Sequence, residues 1–123
     1  MQKRPSIVEI IGVPCDLGCS QRGANDGPAM IRVAGLTDRL EELSIRAIDG
    51  GDILVPLRER LGKPTQENRE LYVSTIGQIC DELFARVQAS LRESRFPLIL
   101  GGDHAIAVGP IKGTQDYSYK QRR

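Results

Sequence analysis

The chain has 123 residues, of which 40% are hydrophobic and 27% charged, as expected for one folded domain with a modest core. Its 17 basic and 16 acidic residues leave a net charge of +1, so no strong field favours nucleic acid or an anionic membrane. The apolar runs are too short for a transmembrane helix, and Glu9 interrupts the first of them, unlike a signal peptide. We therefore expect a cytoplasmic protein.

The three cysteines, Cys15, Cys19 and Cys80, are too few and too irregular for a disulfide framework. We expect free thiols. A metal pair formed by Cys15 and Cys19 is the minor alternative, because their spacing matches no common zinc pattern.

The first half of the chain predicts one strand and two helices. Ser6–Val13 is short and rich in β-branched residues, which indicates a buried strand. Pro14–Pro28 is a long glycine-rich loop, and its last residue, Pro28, fits the first position of a helix. Gly35 is expected to interrupt this helix, and Thr37 to cap a second one. The second helix has an apolar stripe formed by Leu36, Leu40 and Leu43.

The second half continues the alternation. Ile45–Asp49 is a predicted strand, and Asp52–Lys63 a loop with at most one helical turn. A long helix is predicted over Glu67–Ser94, because apolar residues recur there at three- and four-residue steps. Pro97–Leu100 is apolar on both faces, as in a central strand of a parallel sheet.

The C-terminal part predicts a last helix over Ala105–Lys112, bent or ended by Pro110. Thr114–Arg123 is polar and without periodicity, so we expect a disordered or poorly packed tail. The repeated order of strand and helix predicts an α/β protein with a parallel sheet and helices on its faces.

The stretch Gly101–His104 is the candidate site, because ligands of parallel sheets bind beyond the carboxyl ends of the strands. Gly101 and Gly102 permit close backbone approach and positive φ angles. His104 can coordinate a metal, and Asp103 can orient it. These residues fit equally a tight turn, a helix cap by Asp103 and a histidine that only forms hydrogen bonds.

The loop after the first strand lacks the phosphate-binding spacings G-x-G-x-x-G and G-x-x-x-x-G-K-[ST], which disfavours nucleotide binding. Arg22 in this loop could face a substrate carboxylate, but a solvated arginine is the simpler interpretation.

Three segments resemble one known family. Ile11–Leu36 and Arg95–Gly113 resemble the N-terminal and first metal-binding segments of arginases, and Ile48–Ile53 fits their second strand and turn. The resemblance implies the ureohydrolase superfamily, with RGANDGP and AGL favouring arginase over agmatinase or formimidoylglutamase. It also implies a three-layer α/β/α arginase-like fold, with residues 6–113 as its N-terminal part of about three strands.

The resemblance implies manganese-dependent hydrolysis of L-arginine, or a related guanidino compound, to ornithine and urea by a hydroxide bridging two manganese ions. His104 matches the histidine of the family's GGDH motif, which ligates one manganese, and Gly101, Gly102 and Asp103 match its supporting residues. Intact members of the family are commonly homo-oligomers. The family's D-x-H-x-D and D-x-D motifs do not occur in this chain, which has one histidine. We therefore expect a truncated chain that is inactive alone.

Two other functions stay open. An unpaired outer edge of the Pro97–Leu100 strand would suit a non-catalytic interaction module that pairs with a full-length homologue or with itself. Tyr117–Arg123 alternates aromatic and basic residues, as in some nucleic-acid contacts, although a solvated tail explains it better.

Overall fold

The computed structural model describes residues 7–123 and contains a three-stranded parallel sheet. The strands are β1 (Ile7–Val13), β2 (Arg46–Asp52) and β3 (Phe96–Gly101), in the spatial order β2-β1-β3. The predicted strands and their parallel pairing are confirmed, although Ser6, the first residue of the predicted β1, lies outside the described residues.

Five helices connect or follow the strands. None of them, within residues 7–123, is long and apolar enough to cross a membrane. They are α1 (Gly27–Val33), α2 (Leu36–Glu42), α3 (Arg58–Leu61), α4 (Arg69–Arg92) and α5 (Val108–Gln121), with single 3-10 turns at Ala24–Asp26 and His104–Ala107.

Gly35 separates α1 from α2, as predicted. Its φ of 95° lies in the left-handed region, which glycine adopts without a steric penalty. Thr37 is not the cap of α2, because it lies inside the first turn while Gly35 occupies the cap position without a side-chain hydrogen bond. The backbone conformation of glycine, rather than a hydroxyl, therefore starts this helix.

The two faces of β1 carry separate apolar clusters, so the sheet is covered on both sides. Val8 and Ile10 belong to the cluster that includes the α2 side chains Leu36 and Leu40. The next residue, Ile11, points to the opposite face, as alternation along a strand requires. The cluster on that face contains Ile11 and Val13 together with the α4 side chains Tyr72, Ile79, Leu83 and Val87. The predicted three-layer α/β/α arrangement is confirmed.

The strand β2 extends three residues past the predicted end at Asp49. The register with β1 shifts between Ile10 and Gly12, so that Gly50 and Gly51 form an irregularity of the β-bulge type. Gly51 has a φ of 76° and donates its N–H to Asp49 Oδ1 at 2.9 Å. The two glycines therefore bend the strand without ending it.

Helix α5 is longer than its sequence predicts. Residues 114–121 are helical where the polar composition predicts a disordered or poorly packed tail, and most of them are exposed. Pro110 lies in the first turn, where no intrahelical N–H bond is needed, so it neither bends nor ends the helix. A Cβ at Gly109 would lie 2.7 Å from the Cys80 carbonyl oxygen, and Gly113, one turn later, is equally buried. These two small residues let α5 pack closely against α4.

Arg32 joins α1 to the carboxyl end of β2. Its Nε and Nη2 donate to the Asp49 carboxylate at 2.8 and 3.0 Å, and its Nη1 donates to Asp52 Oδ1 at 2.6 Å. A Cβ at Gly12 would overlap the Asp52 carboxylate, so a larger residue there would displace the pair that Asp52 forms with Arg32. The hydrogen bonds from Arg32 are the main cause of the lowered pKa of Asp49.

We predict that Arg32→Gln lowers the free energy of unfolding at pH 7 by about 1–2 kcal/mol, because charge-assisted bonds are lost at a partly exposed site. Because folding lowers the pKa of Asp49, the stabilisation by its pair with Arg32 is fully present at pH values above the pKa of Asp49 in the unfolded chain. It disappears as the pH falls through the folded-state pKa of Asp49, which lies below the ordinary value of an aspartate. Urea unfolding at several pH values measures both effects. Arg39→Gln, which breaks only an exposed pair with Glu42, is the control, and an equal loss in both variants would contradict the prediction.

Candidate functional site

The loops at the carboxyl edge of the sheet meet where β1 and β3 end. Val13 pairs with Gly101 at the ends of these strands, so the loop after β1 lies beside the turn that contains Asp103 and His104. This is the edge at which the sequence predicts a ligand site.

The Asp103 carboxylate connects the two loops. Its Oδ1 accepts the N–H of Ala105 at 3.0 Å and caps the 3-10 turn that begins at His104. Its Oδ2 accepts the N–H of Gly18 in the loop after β1 at 2.7 Å. Asp103 therefore caps the turn, which is one of the alternatives that the sequence analysis left open. The hydrogen bond from Gly18 is one that the sequence gives no reason to expect.

Gly102 permits a close backbone approach. A Cβ at this position would overlap the carbonyl of Cys15, and the N–H of the following residue, Asp103, donates to that same carbonyl at 3.0 Å. The predicted close backbone approach is confirmed at Gly102, whereas a Cβ at Gly101 would meet only the side chain of Ile106. The predicted positive φ is wrong: within residues 7–123 the positive-φ glycines are Gly23, Gly35, Gly51 and Gly62.

His104 is exposed at the mouth of a shallow cleft with a volume of about 380 Å³. Within residues 7–123, no group of three or more His, Cys, Asp and Glu side chains could hold a metal ion. Manganese prefers several oxygen ligands, so the residues described here do not form a manganese site by themselves. No hydrolytic step follows from this chain alone. The cleft is lined by Ile99, Gly101, Gly102, Asp103, His104, Ile106, Ala107, Pro110 and Ile111.

Arg22 is exposed and also forms two ion pairs. Its Nε donates to Oδ2 of Asp16 at 2.8 Å, and its Nη1 contacts Glu59 of α3. The hydrogen bond to Glu59 is the largest cause of the raised pKa of the Arg22 guanidinium, and the hydrogen bond to Asp16 is the second largest. The same contact with Arg22 lowers the pKa of Glu59. Arg58 supports the same junction by donating to the carbonyl of Cys19 at 2.9 Å. The side chain is 50% exposed, so the predicted solvated arginine is confirmed, and the two ion pairs are an addition that the sequence does not predict.

Sequence reasoning missed two residues of the loop after β1, Asp16 and Gly18, which contact Arg22 and Asp103. Gly18 has no side chain that could signal its role, and its contribution is a backbone N–H. The six-residue separation of Asp16 and Arg22 is a weak signal that only folding of the loop turns into an ion pair.

The three cysteines are free thiols, as predicted. Burial is the largest contribution to the pKa of Cys15, which is raised to about 11. Burial also raises the pKa of Cys80, whose Sγ donates to the Ala105 carbonyl at 3.4 Å. Cys15 is therefore a core residue, Cys80 is half-buried, and both thiols are poor nucleophiles at neutral pH.

We predict that Gly102→Ala destabilises the chain by about 1–3 kcal/mol, because its Cβ would meet a backbone carbonyl that cannot move without disturbing the turn. Gly101→Ala is the matched control: there the new Cβ would lie 3.0 Å from Ile106 Cδ1, the end of a flexible side chain. Urea unfolding midpoints compare the two variants. A Gly102→Ala chain as stable as Gly101→Ala would refute the close approach.

Comparison with known proteins assigns the family. The sequence model of the arginase family matches residues 6–122. The arginase of Bacillus caldovelox is 41% identical over 106 residues, which cover 86% of this chain and 35% of that protein. The arginase of Bacillus subtilis (strain 168) is 38% identical over 107 residues, 87% of this chain and 35% of that protein.

Solved structures agree with these matches. The crystal structure of the Bacillus cereus arginase has a TM-score of 0.75 at 38% identity and covers 90% of this chain and 35% of that one. The native arginase structure from Bacillus caldovelox gives 0.77 at 40% identity, over 89% and 36%. The chain spans about a third of the length of these relatives. The 123-residue chain belongs to the arginase family.

Proposed function

We propose that this chain is part of a manganese-dependent hydrolase that converts L-arginine to ornithine and urea. The observation that carries the proposal is the exposed His104 at the carboxyl end of β3, in the position of the family's GGDH histidine. In this proposal His104 is one manganese ligand, and Gly101, Gly102 and Asp103 hold its turn. Agmatine or another guanidino compound is the alternative substrate.

The proposal includes that the chain is inactive by itself. A bridged pair of manganese ions, roughly 3.5–4 Å apart, needs several ligands, and the described residues offer a single imidazole without a supporting cluster. Since the chain spans about a third of its relatives' length, other polypeptide completes the site. We place the complete protein in the cytoplasm, as a homo-oligomer.

We predict that the purified chain releases no urea from arginine or agmatine in the presence of manganese, because the ligand set is incomplete. A colorimetric urea assay measures this, with the Bacillus caldovelox arginase as the positive control. Urea release that disappears in His104→Ala would show that the chain forms a complete site, against the proposal of inactivity.

Since His104 is the only histidine, its ring proton signals report directly on weak manganese contact. Absence of manganese-dependent broadening at millimolar metal would contradict the ligand role.

The outer edge of β3 favours a second candidate function, as an interaction module that pairs with another copy of this chain. Within residues 7–123, β3 hydrogen-bonds only to β1 and lies at the edge of the sheet. Phe96 at its start is 50% exposed. An open edge next to an exposed aromatic residue is a template for further strand pairing.

We predict that, if this second function holds, the chain self-associates with increasing concentration and Phe96→Lys reduces the association, because a charge opposes edge pairing. Size-exclusion chromatography with light scattering measures the mass. Leu43→Lys, at an exposed apolar residue beyond the end of α2, is the control. A monomer at every concentration excludes this function.

A further inference from the structure

The segment Cys15–Gly18, which we call the β1 turn, holds the Asp103–His104 turn on one side. Its Cys15 carbonyl accepts the N–H of Asp103 at 3.0 Å, and its Gly18 N–H donates to the Asp103 carboxylate at 2.7 Å. The two turns are also in steric contact, since a Cβ at Gly18 would lie 2.6 Å from Cβ of Ala105. A displacement of the β1 turn would therefore move Asp103 and Ala105, the residues on either side of His104.

The other side of the β1 turn is held by Arg22. The Asp16 side chain is only 4% exposed, and its carboxylate receives the Nε–H of Arg22 at 2.8 Å. A buried carboxylate is costly without a charged partner, so removal of Arg22 would drive Asp16 to move toward water. Asp16 lies between the two residues that grip Asp103, so such a movement would disturb both of their hydrogen bonds.

Arg22 is itself anchored outside the loop. Its Nη1 contacts Glu59 of α3, and Arg58 of the same helix donates to the Cys19 carbonyl at 2.9 Å. The guanidinium is thus held between a buried acid and an exposed acid on a separate element. The two ion pairs limit the number of conformations that the Arg22 side chain can adopt, and they connect the β1 turn to α3.

We propose that Arg22 is a positioning residue for the Asp103–His104 turn, acting through Asp16 and the β1 turn. The contacts that carry this coupling are independent of any metal. Its importance for hydrolysis rests on the proposed function, in which His104 is a ligand. Arg22 does not touch His104 in this arrangement, and its effect is transmitted by two backbone hydrogen bonds to Asp103.

The test is amide hydrogen exchange, followed by NMR on the full, metal-free chain. Arg22→Gln is expected to lower the protection of the Gly18 and Asp103 amides by roughly tenfold beyond any change at core amides, and to shift the ring signals of His104. Arg39→Gln, which breaks an exposed pair in α2, is the matched control and is expected to leave these signals unchanged. A general loss of stability would lower all amides together, which separates positioning from a purely structural role.

A second variant tests the route of the coupling. Asp103→Asn places an amide donor where Gly18 or Ala105 needs an acceptor, so the link to the β1 turn is already weakened. Adding Arg22→Gln is then expected to cause a smaller further change at the His104 ring than it does in the wild-type chain. Should Arg22→Gln fail to fold, Arg22→Lys, which retains a cation but not the paired N–H donors, supplies the same comparison.

The proposal is overturned if Gly18, Asp103 and His104 respond to the Arg22 substitution no more than core amides do. It is also overturned if the double variant shows fully additive effects. Because all readings are taken without metal, these outcomes are independent of whether His104 binds manganese. Conversely, a failure of the manganese experiment would leave the exchange results untouched.

Discussion

Burial of β1 on both faces is the constraint from which the rest of the structure follows. Ile10 and Ile11 are adjacent in sequence and 0% exposed, yet they point into opposite clusters. Helices must therefore cover both sides of the strand, and its two edges must be paired by β2 and β3. Parallel pairing then brings the ends of β1 and β3 together, which places the β1 turn against Asp103.

Backbone groups, more than side chains, organise the carboxyl edge. Asp103 accepts from the N–H groups of Gly18 and Ala105, and Cys15 accepts from the N–H of Asp103. The Asp103 carboxylate is thus occupied by backbone donors, while His104 stays exposed beside it. The turn therefore presents an exposed imidazole beside a carboxylate that backbone donors already hold.

Charged side chains tie the surrounding elements to this edge. Arg32 connects α1 with the end of β2, and Arg22 connects the loop after β1 with α3. Each of these arginines forms ion pairs with two acidic side chains, a local arrangement that the near-neutral net charge of the chain does not indicate. Such planar, multiple contacts favour arginine over lysine, because one guanidinium can donate to two carboxylates at once.

Local patterns along the chain determined the three strands, the long helix α4, the break at Gly35 and the candidate His104, because periodicity, glycine conformation and motif spacing act within a few residues. The tertiary structure alone decided the helical state of residues 114–121, the ion pairs of Arg22 and the bond from Gly18 to Asp103. Gly109 and Gly113 pack closely against α4, and this contact favours the helical state of residues 114–121 despite their polar composition. The other two depend on residues that are brought together only when parallel strands align their carboxyl ends, and no local pattern encodes that distance.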